Sequence, residues 1–238
     1  MKVNLFVPCF IDQFYPEVAL ATVKILEKAG CEIIYNKNQT CCGQPSFNSG
    51  YTEETLELAK HFIEIFDNGL PVVAPSASCT GFIKRNYHKL SNDKNYLAKA
   101  NHLQNRIFEL TDFLVNQLHF TDFGAKFPAK VTYHDACSAL REYGIKQEPR
   151  ILLSKVEGIE LIEMKEAETC CGFGGTFSVK FRPISVAMVE QKVESALETQ
   201  ADYIVSTESS CLMNIGGYIK KNNKGIKTIH IAEILSSF

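Results

Sequence analysis

Eight of the nine cysteines fall into two matched sets, Cys9, Cys41, Cys42 and Cys79, then Cys137, Cys170, Cys171 and Cys211, with partners 128, 129, 129 and 132 residues apart. Each set is a lone cysteine, an adjacent pair followed by glycine (QTCCGQPS and ETCCGFGG), and a second lone cysteine. Four thiolates gathered at one point suit tetrahedral zinc or an iron-sulfur cluster. Small zinc modules favour closely spaced cysteine pairs, whereas these lone cysteines stand about 30 to 40 residues from their doublet, which favours a cluster and leaves zinc as the alternative. An odd cysteine count in a chain long enough to have a real core argues against a disulfide framework. The ninth, Cys31, opens the apolar run CEIIY and is expected to be a core thiol.

Adjacent cysteines on a straight strand point to opposite faces, so both reach one centre only if the backbone turns, which Gly43 and Gly172 permit. The first half alternates strand and helix: strands at 3–8, 31–35 and 70–75, and helices at 16–30, 52–66 (with Thr52 as N-cap) and 106–118. The second half repeats the order with strands at 130–135, 159–164 and 202–207 and helices at 148–156 and 184–200. This predicts a tandem duplication of two α/β lobes with mainly parallel sheets, related by a pseudo-twofold axis. The expected lobes are residues 1–125 and 126–238, divided in a linker around 118–130. Functional groups in parallel sheets gather beyond the carboxyl ends of the strands, where each half would bring its four thiols to one edge.

A net charge of -2 without a polybasic run excludes the electrostatic footprint of a nucleic-acid binder. No apolar stretch is long enough for a membrane span and the start is unlike a secretory leader, so a cytoplasmic protein is expected, with peripheral membrane association left open. GFGG does not follow the dinucleotide fingerprint, so neither NAD nor FAD is expected to bind, and serine-hydrolase and zincin motifs are absent. His134 and Asp135, in YHDAC, stand close enough to Cys137 to donate to a cluster sulfur or relay a proton; the plainer alternative is a histidine satisfying backbone groups at a strand end. His230, in IHIAEIL, carries the same ambiguity with a weaker functional case. Arg141, Arg150, Lys180 and Arg182 follow cysteines of the second half only, and could offset cluster charge or hold a carboxylate. His134, Arg141 and Lys180 are therefore the candidate catalytic residues.

The pattern of Cys9, CCG at 41–43 and Cys79, repeated as Cys137, CCG at 170–172 and Cys211, resembles the cysteine-rich CCG domain family. That family includes the CCG-domain subunit of heterodisulfide reductase and the iron-sulfur subunits of glycolate oxidase and anaerobic glycerol-3-phosphate dehydrogenase. FVPCFIDQFYPEVALATVKILEKAGCE, YHDACSALREYGIKQEPRILL and STESSCLMNIGGYI resemble its stand-alone lactate-utilization branch, nearly end to end. The resemblance implies an iron-sulfur electron-transfer subunit in NAD-independent oxidation of L-lactate to pyruvate. It also implies two partners, a ferredoxin-like iron-sulfur protein and a third lactate-utilization subunit. In heterodisulfide reductase a C-x-x-C pair supplies a fifth thiolate; here Ser76 and Glu208 stand at those positions, which leaves a four-thiolate [4Fe-4S] cluster in one lobe or both. The alternatives are a thiol-disulfide or heterodisulfide-type reductase subunit acting at a cluster, and a zinc-stabilised binding module.

Overall fold

The computed structural model describes residues 1–238 as two four-stranded, wholly parallel sheets flanked by helices. The first half runs β1 (Lys2–Leu5), α1 (Cys9–Phe14), α2 (Pro16–Lys28), β2 (Glu32–Tyr35), α3 (Gln44–Asn48), α4 (Thr52–Ile65), β3 (Val72–Ala74), α5 (Ala77–Asn86), α6 (Lys94–Gln104), β4 (Ile107–Glu109) and α7 (Leu110–Asp112). The second runs β5 (Lys126–Tyr133), a π-helical turn (Ser138–Tyr143), α8 (Glu148–Leu153), β6 (Glu157–Leu161), α9 (Phe177–Lys180), α10 (Arg182–Leu197), β7 (Tyr203–Ser206), α11 (Ser209–Lys221), β8 (Lys227–His230) and α12 (Ile231–Leu235). Strand orders are β2-β1-β3-β4 and β6-β5-β7-β8, the same topology twice.

The apolar patterning accounts for these elements. Val18, Ala21, Thr22, Ile25 and Leu26 recur at helical spacing along the buried side of α2, which Pro16 starts. β3, VVA, is buried along its whole length, as a strand covered by helices on both faces must be. Strand order reverses between β1 and β3, and between β5 and β7, so each lobe has a switch point where loops part and leave a crevice at the carboxyl ends.

The lobes do not hinge freely. One apolar cluster joins Val3, Leu5 and Ile25 of the first lobe to Val131, Leu152 and Leu235 of the second. α12 packs on α2 while α7 packs on α8, each lobe's terminal helix covering the other lobe. Burying each such aliphatic side chain contributes about 1.5–3 kcal/mol, so separating the lobes would expose a core.

Several local expectations change. The segment 106–118 is not one helix: Ile107 pairs with Val72 as β4, and the helix begins only where Glu109 accepts the Thr111 and Asp112 N–H groups. Pairing with β3 satisfies backbone groups and overrides helical propensity there. β8 is likewise a fourth strand that the three-strand reading of the second half lacked. β5 begins at Lys126, inside the stretch read as linker, and β6 spans 157–161 instead of 159–164. Thr52 is the first residue of α4, whose N-cap position is Tyr51 with no side-chain cap.

Candidate metal centre

Each switch point gathers its four cysteines. Cys9 opens α1 directly after β1, Cys41 and Cys42 follow β2, and Cys79 lies in the first turn of α5, which Ser76 caps by accepting the Cys79 N–H at 3.4 Å. In the second lobe Cys137 opens the π-helical turn after β5, Cys170 and Cys171 follow β6, and Cys211 lies in the first turn of α11. The thiols stand in two parallel series, Cys9–Cys41–Cys42–Cys79 and Cys137–Cys170–Cys171–Cys211, in which neighbours act on one another's ionisation. Within them Cys41 is held well below the ordinary thiol range, first by Cys42 and then by Cys9, and Cys170 likewise by Cys137 and Cys171. Cys42 and Cys171, buried, are pushed up by the same contacts. In each set one member of the doublet, Cys41 or Cys170, is the readily formed thiolate, and its neighbours, Cys9 and Cys42 or Cys137 and Cys171, are pushed up.

The doublet turns are built alike. Gly43 and Gly172 have φ of 89° and 82°, and each donates its N–H to the sulfur two residues back at 3.4 Å. A Cβ on Gly172 would stand 2.6 Å from the Ser185 carbonyl oxygen, so the turn needs glycine for space as well as for conformation. The carbonyls behind the doublets are held by different groups: the Tyr87 hydroxyl donates to that of Cys42 at 2.8 Å, and Asn214 Nδ2 donates to that of Cys171 at 2.8 Å.

Both thiol sets line one cavity between the lobes, of about 310 Å³. Phe10 and Phe173 meet edge to face across it, with centroids 5.8 Å apart. Ser76 and Glu208, the positions where a fifth thiolate was missing, meet each other: Ser76 Oγ donates to Glu208 Oε2 at 3.2 Å, and the Ser78 N–H donates to the same oxygen at 2.9 Å. The pair bridges the lobes. Glu142, on the cavity wall, has its carboxyl pushed up by burial, and its carbonyl accepts from Arg85 of the other lobe at 2.8 Å.

His134 lies at the carboxyl end of β5, wholly buried, and its ring, Cys171 Sγ and Cys211 Sγ lie within 4.8 Å of one another. Burial, reinforced by the Lys192 ammonium, pushes the imidazole down to about 3, so it is neutral. Lys192 is itself wholly buried, donates to the Glu166 and Ala167 carbonyls, and is brought down to about 8 by burial. Reading by motif misses Lys192; the signal is a lysine on the apolar stripe Val189, Val193 and Ala196 of α10. Arg141 and Lys180 are exposed and do not line the cavity. Arg150 has its fork occupied by Asp135 (2.9 and 2.8 Å) and Glu163 (2.6 and 2.9 Å), and Arg182 lines a separate groove between α10 and α11. His230 caps α12, accepting the Ala232 N–H at 3.1 Å. Cys31 is a buried core thiol, raised by desolvation.

Four thiols gathered at one cavity edge in each lobe, with a backbone N–H aimed at one sulfur of each set, match the donor chemistry of a zinc or iron-sulfur centre. The profile of the cysteine-rich domain family CCG matches residues 3–84 and 131–216, one domain per sheet. The chain is 46% identical over 237 residues to lactate utilization protein A of Geobacillus sp. (strain WCH70), covering the full length of both. It is 45% identical to lactate utilization protein A of Bacillus cytotoxicus, covering all of this chain and 99% of that protein. A crystal structure of a hypothetical protein from Helicobacter pylori has the same fold with a TM-score of 0.66 at 14% identity; 98% of this chain spans 48% of that one. The chain belongs to the cysteine-rich CCG domain family, carries the domain twice, and groups with the lactate utilization A proteins.

Proposed function

We propose that the protein is the iron-sulfur electron-transfer subunit of a cytoplasmic, NAD-independent complex that oxidises L-lactate to pyruvate, working with a ferredoxin-like iron-sulfur protein and a third lactate-utilization subunit. The names of its full-length relatives support the process. The observation that carries the chemistry is two four-thiol sets opening on one shared cavity. Lactate oxidation releases two electrons and two protons, and two one-electron centres side by side suit that stoichiometry. Lobe 1–125 would hold its centre with Cys9, Cys41, Cys42 and Cys79, and lobe 126–238 with Cys137, Cys170, Cys171 and Cys211.

A [4Fe-4S] cluster bound in either lobe supplies reversible one-electron storage. The chain's own groups set the conditions: Gly43 and Gly172 N–H groups stabilise charge on sulfur, and Tyr87 and Asn214 fix the doublet backbone. The Ser76–Glu208 bridge keeps the two edges together. The gathering of four thiols at each cavity edge supports a second reading, a tetrahedral zinc in one or both lobes. Anaerobic purification with iron and zinc quantification and EPR after reduction separates the two. Iron with a reducible signal is expected; zinc without iron refutes the electron-transfer role.

A further inference from the structure

We infer that His134 is a nitrogen ligand of the second centre, beside Cys171 and Cys211, so that the two centres differ in donor set: thiolates alone in the first lobe, thiolates and an imidazole in the second. This presupposes that a thiolate-bound metal occupies the second lobe. His134 is 0% exposed, and neither of its ring nitrogens has a hydrogen-bond partner. Leaving such a group unpaired costs about 1–3 kcal/mol, and native proteins seldom tolerate it without a water or ion to meet it. Its surroundings name the partner, since a ring nitrogen and the sulfurs of Cys171 and Cys211 lie within 4.8 Å of one another, near enough to close on one metal.

The backbone around the ring is fixed. The His134 N–H donates to the Val205 carbonyl at 2.8 Å, and its carbonyl accepts from Ser206 Oγ at 3.0 Å, so the residue is locked at the β5–β7 switch point. The Ala167 carbonyl stands beside the ring without reaching hydrogen-bond geometry and already accepts from the Asp135 N–H at 3.0 Å and from Lys192 Nζ at 3.1 Å, so it leaves both ring nitrogens unpartnered. Lys192 is engaged by the Glu166 and Ala167 carbonyls and leaves the imidazole free.

The first lobe is an internal control. Phe6 occupies the matching place, 128 residues before His134, and offers no donor. Among the other histidines, His61, His88, His102 and His119 are exposed and His230 caps α12; His134 is the histidine grouped with cysteine sulfurs.

The test uses the full chain, reconstituted anaerobically, labelled with [15N]histidine, and compared with His134→Phe, which copies the first lobe. If iron loads, pulsed EPR of the reduced protein is expected to show a strong, directly bonded 15N coupling that His134→Phe abolishes while iron at the first centre stays. His134→Gln, which keeps a polar side chain, is expected to lose the coupling too, and covers the case where phenylalanine does not fold. If only zinc loads, X-ray absorption is expected to show a nitrogen shell inside the sulfur shell, lost in both variants. Iron with only weak histidine coupling overturns the ligand but leaves the electron-transfer role. Zinc with the nitrogen shell supports the ligand and sinks that role, and no metal of either kind overturns both.

Discussion

Behind the first doublet, Phe6 and Phe62 meet edge to face with centroids 4.8 Å apart; behind the second, the same two places hold His134 and Lys192. The correspondence follows from the turns: a Cβ on Gly43 would meet Thr55 and Leu58, one on Gly172 would meet Ser185 and Met188, and Lys192 follows Ser185 as Phe62 follows Thr55. Duplication has thus kept the thiols and the backbone that aims them, while the medium around them has diverged from hydrocarbon to a neutral imidazole and an ammonium. The dyad teaches the same lesson, with Ser76 in one lobe and Glu208 in the other bonding to each other. What a metal requires is held twice; what tunes it is held once.

The largest effect should come from the doublets. Cys42→Ser is expected to empty the first lobe of metal and Cys171→Ser the second, each halving the metal per chain in elemental analysis. If either variant loses all its metal, the lobes load cooperatively and the comparison of two independent centres breaks. Next, Phe62→Ala opens a cavity among Phe6, Phe66 and Tyr87 and should cost about 3–5 kcal/mol in denaturant unfolding. Lys192→Met, in the matching place, removes a buried charge and should change stability by less than about 2 kcal/mol. Similar costs at both sites would mean that the two environments are mechanically equivalent.

The fourth strands extend the contrast. Glu109 and His230 each cap the short helix that follows, and burial moves them in opposite directions, the carboxyl up to about 8 and the imidazole down to about 4. Glu109 binds its proton more tightly in the folded state. Its contribution is therefore fully present below about pH 4.5 and lost as pH rises to about 8, on the order of 5 kcal/mol. Glu109→Gln should flatten that decline in a pH series of unfolding curves, and an unchanged slope would assign the decline to other groups. Last, Glu208→Ala leaves the Ser78 N–H without its acceptor and should cost about 1–3 kcal/mol, whereas Ser76→Ala, which keeps that bond but loses the bridge hydroxyl and the α5 cap, should cost about 1 kcal/mol. Equal losses would show that the Ser76 hydroxyl, in bridge and cap together, matters as much as the Glu208 contact to the backbone amide.

The repeat was legible because cysteine has few reasons to recur at matched spacing, and because β-α-β alternation with Pro16 and Gly30 marking a helix leaves little choice of fold. The fourth strands were not, since Ile107 to Glu109 has no pattern distinguishing it from the helix beside it and becomes a strand only by pairing with β3. Arg150 read as a free anion-binding fork because nothing near it in sequence reveals Asp135 and Glu163 closing on it. Ser76 and Glu208 read as two separate departures from a ligand pattern, and only the packing of the lobes makes them one contact.

The sequence by itself determined the duplicated α/β lobes and the eight thiols at their strand ends, because hydrophobic period, glycine turns and cysteine spacing are local properties of the chain. Tertiary structure alone decided that both sets open on one cavity, that a buried histidine stands against the second set with both nitrogens unpaired, and that the dyad is bridged by Ser76 and Glu208. Those facts depend on the angle at which two lobes bury a common core, and residues more than a hundred positions apart carry no sign of it until they are packed.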